Sequence, residues 1–158
     1  MDYGCLMLDF KIKDWSNWSN LIDKNDLYLG DDEPGLVQDP HCTILYGFKK
    51  EINPKEFKLP SARLFKFRLE RMGIFELDSY DVLIYHLESK LARLINERLS
   101  NQFPNEEPYS EYKPHLTVGY FKKGQAKKYL KFKNDNIKYS IIPFQWRYSF
   151  PNGREVTF

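Results

Sequence analysis

The amino-acid sequence predicts an α+β protein in which two related lobes carry antiparallel sheets that line a central groove. Short apolar runs of strand length alternate with helical patterns, two polar loops rich in proline interrupt the chain, and each loop leads into a Pro-His-x-Thr string. With 158 residues, 42% of them apolar and 16% aromatic, the chain is about one domain long and has enough apolar material for a core. We therefore expect a single bilobal, pseudo-two-fold domain over residues 1–158.

The first half predicts a strand, a helix, a loop and a second strand. The apolar run at residues 3–10 has strand length, and Asp14 is a suitable N-cap for a short helix after it. Residues 26–40 are rich in Asp, Gly and Pro and predict a loop that leads into a strand at residues 41–48. A short helix is expected within residues 49–60.

The second half begins with more strands and the longest helical pattern. Residues 64–77 alternate well enough for one strand, or for two with a break at Gly73. Residues 81–86 predict another strand, and an apolar stripe at helical spacing predicts a helix over residues 87–103.

The remainder of the chain repeats the order of the first half. A polar loop at residues 101–114 leads into a strand at residues 115–121, and residues 124–132 predict a helix. Residues 141–150 predict a strand, and Asn152-Gly153 is a strong hairpin-turn signal before the last strand. The order of strand, helix, polar loop and Pro-His-x-Thr strand therefore occurs twice.

Composition and charge exclude several classes of function. Cys5 and Cys42 form neither a CxxC pair nor a His/Cys cluster, so no metal and no cofactor is expected. The 24 basic and 22 acidic residues are too balanced for a broad surface that binds duplex DNA. No apolar run is long enough to cross a membrane and no signal peptide is recognised, so a cytoplasmic location is expected.

The two Pro-His-x-Thr strings are the strongest signal in the sequence. The chain has three histidines and three threonines, yet His41 and His115 are each preceded by proline and followed two residues later by threonine, Thr43 and Thr117. From composition alone, such a coincidence has a probability on the order of a few in a million. His86 lacks the pattern and is assigned a structural role.

Strand periodicity predicts how these strings are oriented. Side chains alternate between the two faces of a strand, so each histidine should share a face with its threonine. On this pattern Gly119 joins the polar face of the second string. The residues expected on the apolar faces are Cys42, Ile44 and Tyr46 in the first string and Leu116, Val118 and Tyr120 in the second.

Two such His/Thr pairs are suited to cleaving a phosphodiester. One imidazole can take the proton of a ribose 2′-hydroxyl while the other protonates the departing 5′-oxygen, since both have pKa values near neutrality. Threonine hydroxyls can donate hydrogen bonds to the phosphate oxygens as charge grows on them. Strand histidines packed beside threonines that merely favour β-structure are the alternative interpretation.

The two strings and their separation resemble the 2H phosphoesterase superfamily, in which each of two duplicated lobes contributes a His-x-Thr or His-x-Ser strand. The resemblance implies a V-shaped bilobal fold and metal-free cleavage of RNA-like phosphodiesters or 2′,3′-cyclic phosphates. His41, Thr43, His115 and Thr117 would then be the catalytic residues.

Within that superfamily, the opening YGCLML, the string DPHCTILYGF and the final Asn-Gly hairpin are most similar to the phage anti-CBASS nucleases. This implies cleavage of 3′–5′ linkages in cyclic di- and trinucleotides that signal bacterial antiviral defence, and hence action in the host cytoplasm. By position, Tyr3 and Trp146 correspond to the base-clamping aromatics of that family, and Gln145 is the nearest counterpart of its glutamate.

Other functions use the same residues. A 2′,3′-cyclic phosphodiesterase, an RNA end-processing enzyme or a 2′–5′ oligoadenylate phosphodiesterase would keep the site and change the substrate. A non-catalytic nucleotide sponge would use the groove for binding alone, which requires no proton donor or acceptor.

Overall fold

Two antiparallel sheets, one of four strands and one of three, form the framework of the chain in a computed structural model that describes residues 3–30, 33–131 and 141–158. The α+β class and the antiparallel character of both sheets agree with the sequence prediction. The strands are β1 (Gly4–Lys11), β2 (Leu29–Gly30), β3 (Glu33–Pro34), β4 (His41–Phe48), β5 (Arg68–Glu76), β6 (Tyr80–Glu88), β7 (His115–Lys122), β8 (Ile142–Ser149) and β9 (Glu155–Thr157).

Strand order places each His-x-Thr strand at the edge of its sheet. The four-stranded sheet has the order β4-β1-β8-β9 and the three-stranded sheet the order β5-β6-β7, while β2 and β3 form a separate two-stranded sheet. Thus β4 pairs with β1 and β7 pairs with β6, each in antiparallel fashion. The expected turn at Asn152-Gly153 joins β8 to β9, with Gly153 at a φ of 81°.

The main helix, α2 (Lys90–Gln102), begins later than its apolar stripe predicts. Strand β6 continues to Glu88, and the Ser89 hydroxyl then accepts a hydrogen bond from the Ala92 N–H at 3.2 Å, which caps the helix. Ile95 and Leu99 on α2 are buried in the core.

The other predicted helices are shorter than their sequence patterns predict. Helix α1 (Trp18–Leu21) follows a 3-10 turn, and the Asp14 side chain does not cap it because Asp14 itself adopts a left-handed conformation with φ 59°. The helix expected within residues 49–60 is a 3-10 turn, Pro54–Phe57, held by a capping box between Asn53 and Glu56. Further 3-10 segments occupy Lys24–Asp26, Ala62–Leu64 and Ala126–Lys131.

Two predicted segments differ from the structure in extent. Strand β5 runs without a break through Gly73, where a Cβ atom would stand only 2.5 Å from Nε2 of His86. Glycine at this position therefore makes room for a side chain of the neighbouring strand. Of the helix predicted at residues 124–132, residues 126–131 form a 3-10 turn and residue 132 lies outside the described residues.

Both motif strands carry one extra residue directly after the threonine. On β4 the register passes from Thr43 to Leu45 and leaves Ile44 unpaired with β1, and on β7 it passes from Thr117 to Gly119 and leaves Val118 unpaired with β6. Such bulges reverse the side-chain alternation beyond them.

The bulges are stabilised by hydrogen bonds from outside their own sheets. The Asn96 side chain on α2 donates to the Ile44 carbonyl at 2.7 Å, and the Val37 N–H donates to the Val118 carbonyl at 3.0 Å. The carbonyl of the extra residue is thus paired in both strands.

The two polar loops cross between the halves of the molecule. The loop before β4 runs along the outer edge of β7, where the Tyr120 N–H donates to the Gly35 carbonyl at 2.8 Å. The loop before β7 runs along β4, where the Glu106 N–H donates to the Gly47 carbonyl at 2.9 Å. The outer edge of each motif strand is therefore covered by the loop that leads into the other.

A continuous apolar core joins the two sheets and α2. Its largest fully buried side chains include Tyr148, Phe48, Phe57 and Phe121. None of the helices in the described ranges is both long and apolar enough to span a membrane.

Candidate active site

The fold brings the two motif strands into contact although their histidines are 74 positions apart in the sequence. Strands β4 and β7 contact each other directly, and the sulfur of Cys42 on β4 lies beside the backbone N–H of His115 on β7. The two motif strands are therefore neighbours in space although they belong to different sheets.

A cavity of about 640 Å³ opens between the motif strands. Thr43 from β4 and His115 and Thr117 from β7 line it together. His41 is not among the residues that line it, but it is half-buried on the same face of β4 as Thr43, two residues away. Three of the four predicted catalytic side chains thus share one cavity, and the fourth stands on the same strand face as one of them.

Both motif imidazoles are held in the same way. The Nδ1 of His41 lies 2.9 Å from the Asp39 carbonyl, and the Nδ1 of His115 lies 2.7 Å from the Lys113 carbonyl. A carbonyl can only accept a hydrogen bond, so Nδ1 carries the proton in each ring and Nε2 is left to exchange protons. The repeated contact, two residues back along the chain, gives both rings the same tautomer.

The proline before each histidine explains how this contact forms. Pro40 and Pro114 restrict the residues before them to extended conformations, which turns the preceding carbonyls toward the imidazoles. Each proline carbonyl also accepts a hydrogen bond at 2.9 Å from the adjacent strand segment, Pro40 from the Phe10 N–H and Pro114 from the Leu87 N–H. The Pro-His pairs therefore fix both the start of the strand and the orientation of the ring.

Burial lowers the pKa of both imidazole rings. Desolvation lowers the pKa of His41 below its usual value, and the positive charge of Arg147 lowers it further, whereas the Asp39 carbonyl acts in the opposite direction. Burial likewise lowers the pKa of His115, with smaller contributions from the charges of His41 and His86. The electrostatic effect of His41 on His115 is consistent with two imidazoles in one site.

A carboxylate lies beside His41 on the four-stranded sheet. Asp9 on β1 is directly opposite His41 on one side and Gln145 on the other, so the three side chains share a face. Asp9 accepts hydrogen bonds from the Gln145 amide at 2.8 Å and from Arg147 Nε at 3.0 Å. Gln145 thus belongs to the polar cluster next to His41 and does not line the cavity.

The third histidine lies beside His115. His86 on β6 is directly opposite His115, and Phe75 packs edge-on against both rings, with centroid distances of 6.2 Å to His86 and 4.9 Å to His115. His86 remains off the cavity lining and takes part in packing with Phe75 and Gly73.

The expected faces of Tyr46 and Tyr120 are wrong. Because the bulges at Ile44 and Val118 reverse the alternation, both tyrosines turn from the core to the cavity, which they line. Gly119, expected on the polar face, is instead buried, and a Cβ there would stand 2.9 Å from the Gly35 carbonyl. The signal for the tyrosines was present in the sequence, since both strings read His-x-Thr-x-x-Tyr.

Further aromatic side chains line the cavity. Besides the two strand tyrosines, the aromatic residues that line the cavity are Phe75, Tyr80, Tyr109 and Tyr112. The Tyr112 hydroxyl donates to the Thr43 carbonyl at 2.9 Å, which fastens the loop before β7 to β4. Glu107 on the same loop also lines the cavity, and burial raises the pKa of its carboxyl.

Of the residues suggested for base binding, Tyr3 lies near the cavity and Trp146 does not. Tyr3 packs edge-to-face on Tyr46 with a centroid distance of 5.8 Å, and its hydroxyl donates to the Glu106 carboxylate. Trp146 is only 3% exposed, packs on Phe65 and donates from Nε1 to a backbone carbonyl at 2.8 Å. This placement makes Trp146 a core residue and gives no support to a stacking role.

The part of the chain that the structure describes contains no group of three or more His, Cys, Asp or Glu side chains that could hold a metal ion. Cys5 and Cys42 are free thiols, and burial raises the pKa of Cys5 to about 12 and that of Cys42 to about 11. Neither thiol is therefore set up as a nucleophile.

No protein-family model matches this chain, and no curated protein matches its sequence.

Proposed function

We propose that this chain is a metal-independent phosphodiesterase with a 2H phosphoesterase fold, which cleaves 3′–5′ linkages of cyclic di- or trinucleotides. The observation that carries the proposal is the repeated arrangement of its two histidines. Each Nδ1 is bound to the carbonyl two residues back, each ring is accompanied by a threonine on its strand face, and the two strands are in contact. Acid–base catalysis at a phosphate requires such a pair.

The chemistry follows from the free nitrogen of each ring. One neutral imidazole accepts the proton of the ribose 2′-hydroxyl at Nε2 while the 2′-oxygen forms a bond to phosphorus. The bond from phosphorus to the 5′-oxygen breaks, and the second imidazole, protonated at Nε2, gives its proton to that oxygen. Thr43 and Thr117 would donate hydrogen bonds to the non-bridging oxygens.

The repeated elements support the proposed fold. In each half, the Pro-His-x-Thr strand lies at a sheet edge and pairs with the strand that comes before the helix of that half, so β4 pairs with β1 and β7 with β6. Each motif strand also carries a bulge after the threonine. Two copies of one pattern around one cavity are what the resemblance to the 2H superfamily leads us to expect.

The cavity supports a small nucleotide as substrate. Its volume of about 640 Å³ lies within the range of small-ligand sites, about 300–1,000 Å³. Six aromatic side chains line it, and aromatic rings are the usual stacking partners of unpaired bases. By resemblance, the biological substrates would be the cyclic signals of bacterial antiviral defence.

The decisive experiment is chromatography of a substrate panel after incubation with purified protein in EDTA. The panel contains cyclic dinucleotides, linear 3′–5′ and 2′–5′ dinucleotides and 2′,3′-cyclic mononucleotides. We expect cleavage of cyclic dinucleotides, and losses of about 10²–10⁴ in rate for His41→Ala and for His115→Ala. His86→Asn, which changes the third histidine, is the matched control and should retain turnover.

Each other outcome rejects a defined part of the proposal. Turnover of linear substrates alone would reject the cyclic assignment. Recovery of intact nucleotide from the heated complex would indicate a sponge. Loss of activity in EDTA that zinc restores would reject the metal-independent mechanism.

A further inference from the structure

Two tyrosines occupy the same position in the two motif strands. Tyr46 follows Thr43 by three residues, and Tyr120 follows Thr117 by three residues. The bulge between threonine and tyrosine turns both phenol rings to the face that carries the motif histidine, and both rings line the cavity. The site thus carries one aromatic ring for each His/Thr pair.

Each of these rings is oriented by a second tyrosine. Tyr3, directly before β1, packs edge-on to Tyr46 with a centroid distance of 5.8 Å and an interplanar angle of 64°. Tyr80, the first residue of β6, packs on Tyr120 at 5.9 Å and 66°. Tyr3 and Tyr80 both stand at the start of the strand that pairs with the motif strand, so the supporting contact is repeated as well.

The supporting tyrosines are themselves held from outside. Tyr3 donates its hydroxyl to Glu106, which also pairs with Lys49. Tyr80 stacks on Tyr28 with a centroid distance of 4.8 Å. Rings fixed in this way lose little conformational entropy when a ligand stacks on them.

The phosphate of a 3′–5′ internucleotide linkage has a nucleoside on each side of its phosphorus atom. We propose that Tyr46 and Tyr120 each stack on one of the two nucleobases that flank the scissile phosphate, so that the substrate must carry a base on both sides. This inference rests on the proposed function, and it makes 2′,3′-cyclic mononucleotides, which have a single base, poor substrates. It also assigns binding roles to Tyr46 and Tyr120, two tyrosines that strict strand alternation places on the apolar face.

The test measures binding without turnover. The probe is adenylyl-3′,5′-adenosine with a 2′-O-methyl group, which lacks the 2′-hydroxyl and is not cleaved by the mechanism above. Its Kd, measured by calorimetry, should rise about 5- to 150-fold in Tyr46→Leu and in Tyr120→Leu, since each stacked base contributes about 1–3 kcal/mol. Tyr46→Phe and Tyr120→Phe should restore most of the loss, because they keep the ring.

Phe158→Leu is the matched control, since it removes a partly exposed aromatic side chain outside this cavity. Its Kd for the probe should equal that of the unmodified protein. Adenosine 3′-monophosphate has one base, so only one of the two leucine variants should weaken its binding. Thermal melting of every variant checks that the fold is retained.

The failures of the two proposals are distinguishable. An unchanged Kd in both leucine variants overturns the stacking assignment even if the enzyme cleaves dinucleotides. Tyrosine-dependent binding of the probe together with intact, uncleaved cyclic and linear dinucleotides would overturn the phosphodiesterase and leave the stacking assignment in place.

Discussion

At the scale of single residues, the proposed mechanism gives the hydroxyl groups of Thr43 and Thr117 a role separate from that of the imidazoles. Replacing either threonine by the isosteric valine removes a hydrogen-bond donor without changing the shape of the strand. We expect kcat/KM to fall about 10²–10³-fold in Thr43→Val and in Thr117→Val, the usual loss for one transition-state donor.

Three further variants test this threonine prediction: a serine variant at each motif threonine and a control at the third threonine of the chain. The serine variants keep a hydroxyl and should recover most of the activity. Thr157→Val changes the third threonine of the chain, which is exposed on β9, and should behave as the unmodified protein. Equal activity of the valine and serine variants would contradict a role for the hydroxyls.

The pH dependence of the proposed cleavage follows from the environments of the two motif histidines. Burial lowers the pKa of both His41 and His115 below the ordinary value of about 6.5. The base must be neutral and the acid protonated, so kcat/KM is greatest between the two pKa values of the free enzyme. We therefore expect a bell-shaped profile with its maximum below pH 6.5.

Steady-state kinetics across the pH range, together with NMR titration of the imidazole C2 protons, measures this directly. The two kinetic limbs should coincide with the titrations of the motif rings, read as values of the coupled pair. A maximum at pH 8 would show that these two imidazoles do not supply the acid and the base.

At the scale of elements, helix α2 supports the bulge in β4. The Asn96 amide donates to the carbonyl of Ile44, the extra residue. Asn96→Ala leaves that carbonyl unpaired in a partly buried position, so we expect the free energy of unfolding to fall by about 1–3 kcal/mol.

Denaturant unfolding measures this loss, and Asn101→Ala on the exposed face of the same helix is its control. The Asn101 variant should change stability by less than about 0.5 kcal/mol. A similar effect of both substitutions would assign the loss to helix propensity instead of to the bulge.

The bulges also explain which parts of the site the sequence could predict. Up to the threonines, the period of two placed His41, Thr43, His115 and Thr117 on shared strand faces, as found. Beyond the threonines the period of two does not hold, because each strand contains an extra residue. The sequence pattern does not reveal that residue when it and its neighbour are both apolar, as Ile44 and Leu45 are. Tyr46 and Tyr120 were therefore assigned to the core.

The start of α2 and the burial of Trp146 show a second limit to what the sequence can predict. Local patterns predict that a helix follows β6, but only the tertiary pairing of β6 with β5, where Glu88 lies opposite Arg68, determines that the strand continues to Glu88. Trp146 alternates correctly with Gln145 and Arg147 on β8, yet which face meets the core depends on the neighbouring strands. The strands could be predicted from the sequence, but the order of the strands in the sheets decides which side chains meet.

At the scale of the whole molecule, Gly47 is the point where the second loop meets the first motif strand. It has a φ of 92°, and a Cβ there would stand 2.6 Å from the Glu106 backbone. Gly47→Ala therefore adds a steric clash to the conformational cost of a positive φ, which alone is about 1–3 kcal/mol. We expect it to destabilise the fold and to displace the loop that carries Glu106 from β4.

Gly124→Ala provides the comparison, since Gly124 also has a positive φ, 81°, but a Cβ there would meet nothing within 4 Å. Denaturant unfolding should show a clearly larger loss for the Gly47 variant, and only that variant should lower kcat/KM. Equal losses in the free energy of unfolding would mean that the loop can move away from Gly47 without destabilising the fold.

The exchange of loops between the two motif strands makes the halves mutually dependent. A fragment that ended before residue 103 would keep β4 but lack the segment that covers its outer edge, and one that began after residue 48 would keep β7 without its cover. Exposed strand edges pair with other chains, so each half produced alone should aggregate. When the two halves are mixed, they should associate and form the native fold.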